Sequence, residues 1–73
     1  MATFGERLKL LRRETGETQK QVAELLGFKS ERTYRQYEAD EVDPPSSKAS
    51  ILADHFNVSV DYLLGRSDDP ERR

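Results

Sequence analysis

The stretches "TFGE" (residues 3–6) and "TQKQ" (residues 18–21) share one pattern. A threonine is followed three positions later by a glutamate or glutamine, and each pair opens an apolar stripe that a glycine closes. A threonine so placed accepts from the third helical N–H, while the Glu or Gln side chain returns to the threonine N–H. Glycine adopts the left-handed backbone that ends a helix. Such punctuation dictates short helices set close together, and no run alternates apolar and polar residues as a half-buried strand would.

Helix one carries Phe4, Leu8 and Leu11 at i, i+4, i+7 and stops at Gly16; helix two carries Val22, Ala23, Leu25 and Leu26 and stops at Gly27. Only Gly16 and Glu17 separate them. Ser30 is expected to cap helix three, about residues 31–39, which "ADEVDP" then breaks. Helix four starts among Pro45, Ser46 and Ser47 and aligns Ala49, Leu52, Ala53 and Phe56. Ser59 caps helix five, with Val58 and Leu63 as a hydrophobic staple and Gly65 at the exit. The expectation is an all-α, compact five-helix domain over residues 1–65, followed by a charged, Pro-broken, flexible tail at 66–73.

The 73 residues contain no cysteine, which excludes disulfides and thiolate metal sites, and a lone His55 cannot build a zinc site without carboxylate help. No metal and no cofactor are expected. Glu6 and several basic residues interrupt the apolar N-terminal stretch, unlike a signal peptide or membrane span, so a cytoplasmic protein without a membrane partner is expected. Ser50, Asp54 and His55 lie close together in "SKASILADHF", yet no nucleophile elbow or oxyanion-forming glycine loop accompanies them. No catalytic residue, enzyme activity or small-molecule ligand is assigned.

The formal net charge of -2 conceals a split. Residues 1–37 carry eight Lys/Arg against five Asp/Glu, whereas residues 38–73 carry four against nine. One half is suited to meet an anion. On a helical wheel Arg32, Arg35, Gln36 and Ala39 share one face of helix three, and Tyr34, Tyr37 and Glu38 share the other. The tyrosines are the core side. Guanidiniums and a carboxamide are the groups whose forks match guanine O6/N7 and adenine N6/N7 in the major groove, although on one helix taken alone they are as readily solvated. The first turn of helix two, from Thr18 to Gln21, offers N–H groups and a dipole to a phosphate, with Lys20 adding charge and with Lys29 and Arg35 as further phosphate candidates. For Thr18 and Gln21, helix capping alone is an equally good account. Arg7, Lys9 and Arg13 read as solvated helix-one charges.

The order "LRRETGETQKQVAELLG", "TYRQYE", Pro44 and "LADHFNVSVDYLLG" resembles the Xre family of lambda-repressor-like helix-turn-helix DNA-binding proteins over residues 4–65. The resemblance implies a five-helix bundle in which helices two and three form the helix-turn-helix and helix three reads the major groove of double-stranded DNA. It implies a phosphate contact at Gln19 and an ion pair between Arg12 and Glu38. The function it implies is sequence-specific DNA binding by a small transcriptional regulator, most simply a repressor.

Two departures from the family pattern stand out. "GFKSERTYRQY" is one residue longer, an extra residue assigned to Lys29. If the turn absorbs it, Glu31 and Arg32 take the first reading positions and Gln36 a later one; if helix three starts earlier, the register moves by about 100°. Glu31 then either accepts from cytosine or merely favours the helix N-terminus. In the second departure, Asp40 stands at the usual glycine position of an acidic loop, where a positive φ is expected. The loop, residues 40–43, is either a repulsive rim beside the reading face or a site for a protein partner. On the latter reading the chain is a protein-interaction module, such as an adaptor, antitoxin or antagonist of a related regulator, with weak or no DNA binding. A homodimer is expected because one such domain reads few base pairs. Its candidate contacts are Ile51, His55 and Tyr62.

Overall fold

The computed structural model describes residues 2–71; Met1, Arg72 and Arg73, which the expected domain and tail included, lie outside the described residues. The helices are α1 (Phe4–Thr15), α2 (Gln19–Leu25), α3 (Arg32–Glu38), α4 (Ser46–Phe56) and α5 (Val60–Leu63). Both capping boxes form. Thr3 N–H donates to Glu6 Oε1 at 3.0 Å, Thr18 N–H donates to Gln21 Oε1 at 2.8 Å, and each threonine hydroxyl accepts in return. Gly16 ends α1 at φ 74°.

Helix three is shorter than expected. Its first intrahelical bond runs from Arg35 N–H to the Glu31 carbonyl, which leaves Ser30 outside the helix. Ser30 is therefore not the cap. Glu31 holds that position with helical backbone and no side-chain bond to the helix end. α3 begins at Arg32, and residues 26–31 link it to α2.

The interior is built on Leu8, Val22, Leu26, Tyr34, Leu52 and Leu63, all fully buried. Phe4 and Phe28 each meet the Tyr37 ring edge-on at 5.9 Å between centroids. Leu25, expected in the α2 stripe, is instead 41% exposed. At 100° per residue it lies well off the arc holding Val22, Ala23 and Leu26. α1 packs on α3 and α5, α2 on α3, and α4 on α5. The α1–α3 contact depends on Gly5. A Cβ there would lie 2.5 Å from the Glu38 carbonyl oxygen and 2.8 Å from that of Tyr37.

Arg7 overturns its reading as a solvated charge. It is 7% exposed and stands three residues after Phe4 and four before Leu11, on the buried face. Its guanidinium donates to the carbonyls of Tyr62 (3.0 Å) and Ser67 (3.1 Å) and to Asp68 Oδ1 (3.3 Å), and lies 3.9 Å over the Tyr62 ring. Ser59 N–H donates to the Pro70 carbonyl at 3.0 Å. These bonds fasten residues 67–70, part of the stretch expected as a flexible tail, against α5.

Candidate nucleic-acid interface

α2 and α3 diverge around an open cleft of about 420 Å³ whose lining includes Lys20, Phe28, Lys29, Arg32 and Arg35. The same lining holds the carboxylates of Glu24 and Glu31, so four cations against two leave a positive balance that favours an anion. Because Tyr34 and Tyr37 are buried, the opposite face of α3 is turned outward, with Arg32 and Arg35 exposed and Gln36 half-buried. Among the described residues, neither the Arg32 nor the Gln36 side chain has a hydrogen-bond partner.

Behind this face lies a polar anchor. Glu38 accepts from Arg12 Nε (2.6 Å) and Nη2 (3.2 Å), from the Tyr34 hydroxyl and from Gln19 Nε2 (3.2 Å). Arg12 Nη1 also donates to the Glu17 carbonyl at 3.0 Å, at the turn between α1 and α2. Burial pushes the Glu38 carboxyl up, but the hydrogen bonds from Arg12, Tyr34 and Gln19 outweigh it and hold the group below its ordinary value. Burial, and then the Glu38 carboxylate, push the Tyr34 hydroxyl well up, so it stays a donor. Every buried side-chain nitrogen and oxygen among the described residues has a partner. The anchor joins α1, the start of α2 and the end of α3.

The residues expected at DNA divide by how they are engaged. Arg35 Nε donates to Gln19 Oε1 at 3.3 Å, and Arg35 Nη2 donates to Glu31 Oε2 at 2.6 Å. Glu31 therefore faces Arg35. Thr18 is used by its capping box and Gln19 at both ends of its amide, so of the four residues expected at phosphates only Lys20 and Lys29 offer uncommitted side chains. Thr18, Lys20 and Lys29 are exposed.

The contacts of two residues at the site escaped sequence reasoning, those of Lys48 and of the Asp40 carboxylate, although the positive φ of Asp40 was expected. Lys48 of α4 donates to the Leu26 carbonyl at 2.8 Å and lies 5.4 Å from the Phe28 ring centroid, pinning the turn between α2 and α3. Lys48 reads as an ordinary exposed lysine, and only the fold brings it to the turn. Asp40 has φ 59° and accepts from the Thr3 hydroxyl (2.6 Å) and Gly5 N–H (2.9 Å). Its carboxylate serves the start of α1, and Asp40, Glu41 and Asp43 are all exposed. Among the dimer candidates, His55 Nε2 lies 2.7 and 2.8 Å from the Glu17 carboxylate, Tyr62 sits under Arg7, and Ile51 is 37% exposed. The described residues include no group of three or more His, Cys, Asp and Glu that could hold a metal ion, and no helix among them is long and apolar enough to cross a membrane.

Two short helices joined by a pinned turn, the second burying its tyrosines and exposing its basic face, define a helix-turn-helix domain. A family model described as helix-turn-helix matches residues 8–63, and this chain belongs to that family, the Xre-type, lambda-repressor-like proteins. It is 44% identical over 68 residues to the uncharacterized HTH-type transcriptional regulator YobD of Bacillus subtilis strain 168, covering 93% of this chain and 60% of that one. It is 39% identical over 66 residues to the HTH-type transcriptional regulator ImmR of the same organism, covering 90% and 51%. The chain thus spans half to three fifths of the length of these relatives.

Solved structures agree with the fold. A transcriptional regulator from Listeria innocua superposes with a TM-score of 0.81 at 38% identity, covering 86% of this chain and 58% of that one. The P22 c2 repressor, solved in complex with a synthetic operator, superposes with a TM-score of 0.82 at 25% identity, covering 92% and 100%.

Proposed function

We propose that this chain binds double-stranded DNA in a sequence-specific manner as a small transcriptional regulator, with α3 in the major groove. The observation that carries this reading is the outer face of α3, where the Arg32 and Gln36 side chains have no hydrogen-bond partner among the described residues and Arg32 shares the α2–α3 cleft with Lys20 and Lys29. Fork-shaped donors and acceptors read base edges, while lysines at the cleft margin hold phosphates and set register. The chain works as a homodimer in the cytoplasm, with the exposed Ile51 as a candidate contact, and represses by occupying a promoter. No catalytic residues are assigned. The P22 c2 repressor, a protein of the same fold, is solved in complex with a synthetic operator, which supports DNA as the partner.

A second reading has its own observation. Val42 is 36% exposed between the exposed acids Glu41 and Asp43, a small apolar knob with a negative rim that suits a basic protein partner.

Selection of bound sequences from a random duplex pool at about 100 mM salt tests the two. An enriched palindrome with half-sites about 10 base pairs apart is the expected result. No enrichment by the folded protein would overturn the DNA reading and favour the acidic loop. Arg32→Ala and Gln36→Ala are expected to relax the preference at one base pair each, by about 1–3 kcal/mol. Lys20→Ala and Lys29→Ala are expected to weaken all sequences alike, each lowering the salt slope by about one.

A further inference from the structure

We infer that Arg35 is a pre-organised guanine reader whose positioning residues are Glu31 and Gln19, so that neither of the two contacts DNA as its main role. The inference rests on the proposed DNA reading and assigns the roles within it. A guanidinium has five N–H donors. One, on Nε, is taken by Gln19 Oε1, and one, on Nη2, by Glu31 Oε2. Both Nη1 donors and the second Nη2 donor remain. One Nη1 donor and that Nη2 donor form the end-on edge of the fork, the edge that can donate in parallel to guanine O6 and N7.

The two supports are unlike an ordinary surface ion pair. The Arg35 side chain is 63% exposed, but its partner Glu31 is only 28% exposed and lines the α2–α3 cleft. Gln19 cannot swing freely either. Its Nε2 is bonded to Glu38, which Arg12 holds in the interior. The guanidinium is therefore clamped from two helices, α2 through Gln19 and the entrance of α3 through Glu31. A long arginine side chain otherwise loses rotamer freedom when it binds, and a clamp that orders it beforehand reduces that loss. It also excludes a competing use: with Nε and one Nη2 donor engaged, the side-on approach to a phosphate is blocked. Arg32, one turn earlier and without any such support, has no comparable constraint.

The test compares the unaltered chain with Arg35→Ala, Glu31→Ala, Gln19→Ala and the conservative Glu31→Gln in one duplex selection at about 100 mM salt, each variant first shown to melt cooperatively. Arg35→Ala is expected to lower the preference for guanine at one position of each half-site by roughly tenfold or more. Glu31→Ala and Gln19→Ala are expected to lower the preference at that same position. Glu31→Gln, which keeps an acceptor oxygen, retains more of it. In an Arg35→Ala background, Glu31→Ala is expected to change nothing further at that position, the signature of a residue acting through another.

If Gln19→Ala weakens every sequence alike and lowers the salt slope by about one, Gln19 is a phosphate contact and the inference falls. It falls too if Glu31→Ala leaves the Arg35-dependent preference intact. In both cases the DNA reading survives, since the unaltered chain still selects a sequence. A folded, unaltered chain that selects none overturns the DNA reading and the inference with it. Should Gln19→Ala fail to melt cooperatively, Glu31→Ala decides the matter alone, because Glu31 supports no buried group.

Discussion

Removing the Glu38 carboxylate would leave the donors of Arg12, Tyr34 and Gln19 without their acceptor in a nearly dry place, the Glu38 side chain being 5% exposed. Glu38→Ala is expected to destabilise the fold by about 3–5 kcal/mol in urea denaturation, most of it the penalty of an uncompensated Arg12 charge. The same carboxylate predicts a pH dependence. Its folded pKa lies below the ordinary 4.5, so its contribution is fully present above that value and is lost as pH falls through the folded pKa. Acid denaturation followed by circular dichroism should accordingly show a shallower stability loss below about pH 4.5 in Glu38→Gln than in the unaltered chain. The inward lean of Glu38 was legible from the wheel. The commitment of Gln19 and Glu31 to Arg35 was not, because long polar side chains four or sixteen positions apart choose partners by rotamer, which no residue pattern encodes.

At the scale of the element, the helices were legible wherever a chemical signal marks an end. The Thr3 and Thr18 boxes and Gly16 mark α1 and the start of α2. The start of α3 was misjudged because Ser30 offers a capping hydroxyl that the turn does not use; its position is fixed by Phe28 packing on Tyr37 and by Lys48 from α4, both tertiary contacts. Gly5 carried no signal at all, since a glycine inside a helix is unremarkable until its neighbour is known. Gly5→Ala should cost about 1–3 kcal/mol despite the better helix propensity of alanine, because the new Cβ meets backbone oxygens of α3 that cannot step aside. Urea denaturation measures it. A stabilised Gly5→Ala protein would show that α1 and α3 are less closely set than described.

Across the whole molecule, Arg7 joins α1 to α5 and to the segment after it. Arg7→Met keeps an apolar stem but loses all three bonds. Amide hydrogen exchange should then accelerate at Ser59, whose N–H reaches the Pro70 carbonyl, while Leu8 and Val22 amides in the interior of α1 and α2 change little. Equal acceleration everywhere would mean that Arg7 supports the global fold instead of the strap. The inward turn of Arg7 was recoverable in principle, since it sits on the same face as Phe4 and Leu11, but charge outweighed position in the reading. The Arg12–Glu38–Gln19–Arg35 chain has a different kind of consequence, one for descent. In a lineage shifting to a new operator, Arg32 and Gln36 can change without disturbing any side-chain hydrogen bond among the described residues, whereas a change at Gln19 is felt at Glu38. If the proposed reading of DNA by α3 holds, divergent copies of this domain should therefore drift in target preference first through Arg32 and Gln36 and last through Arg35.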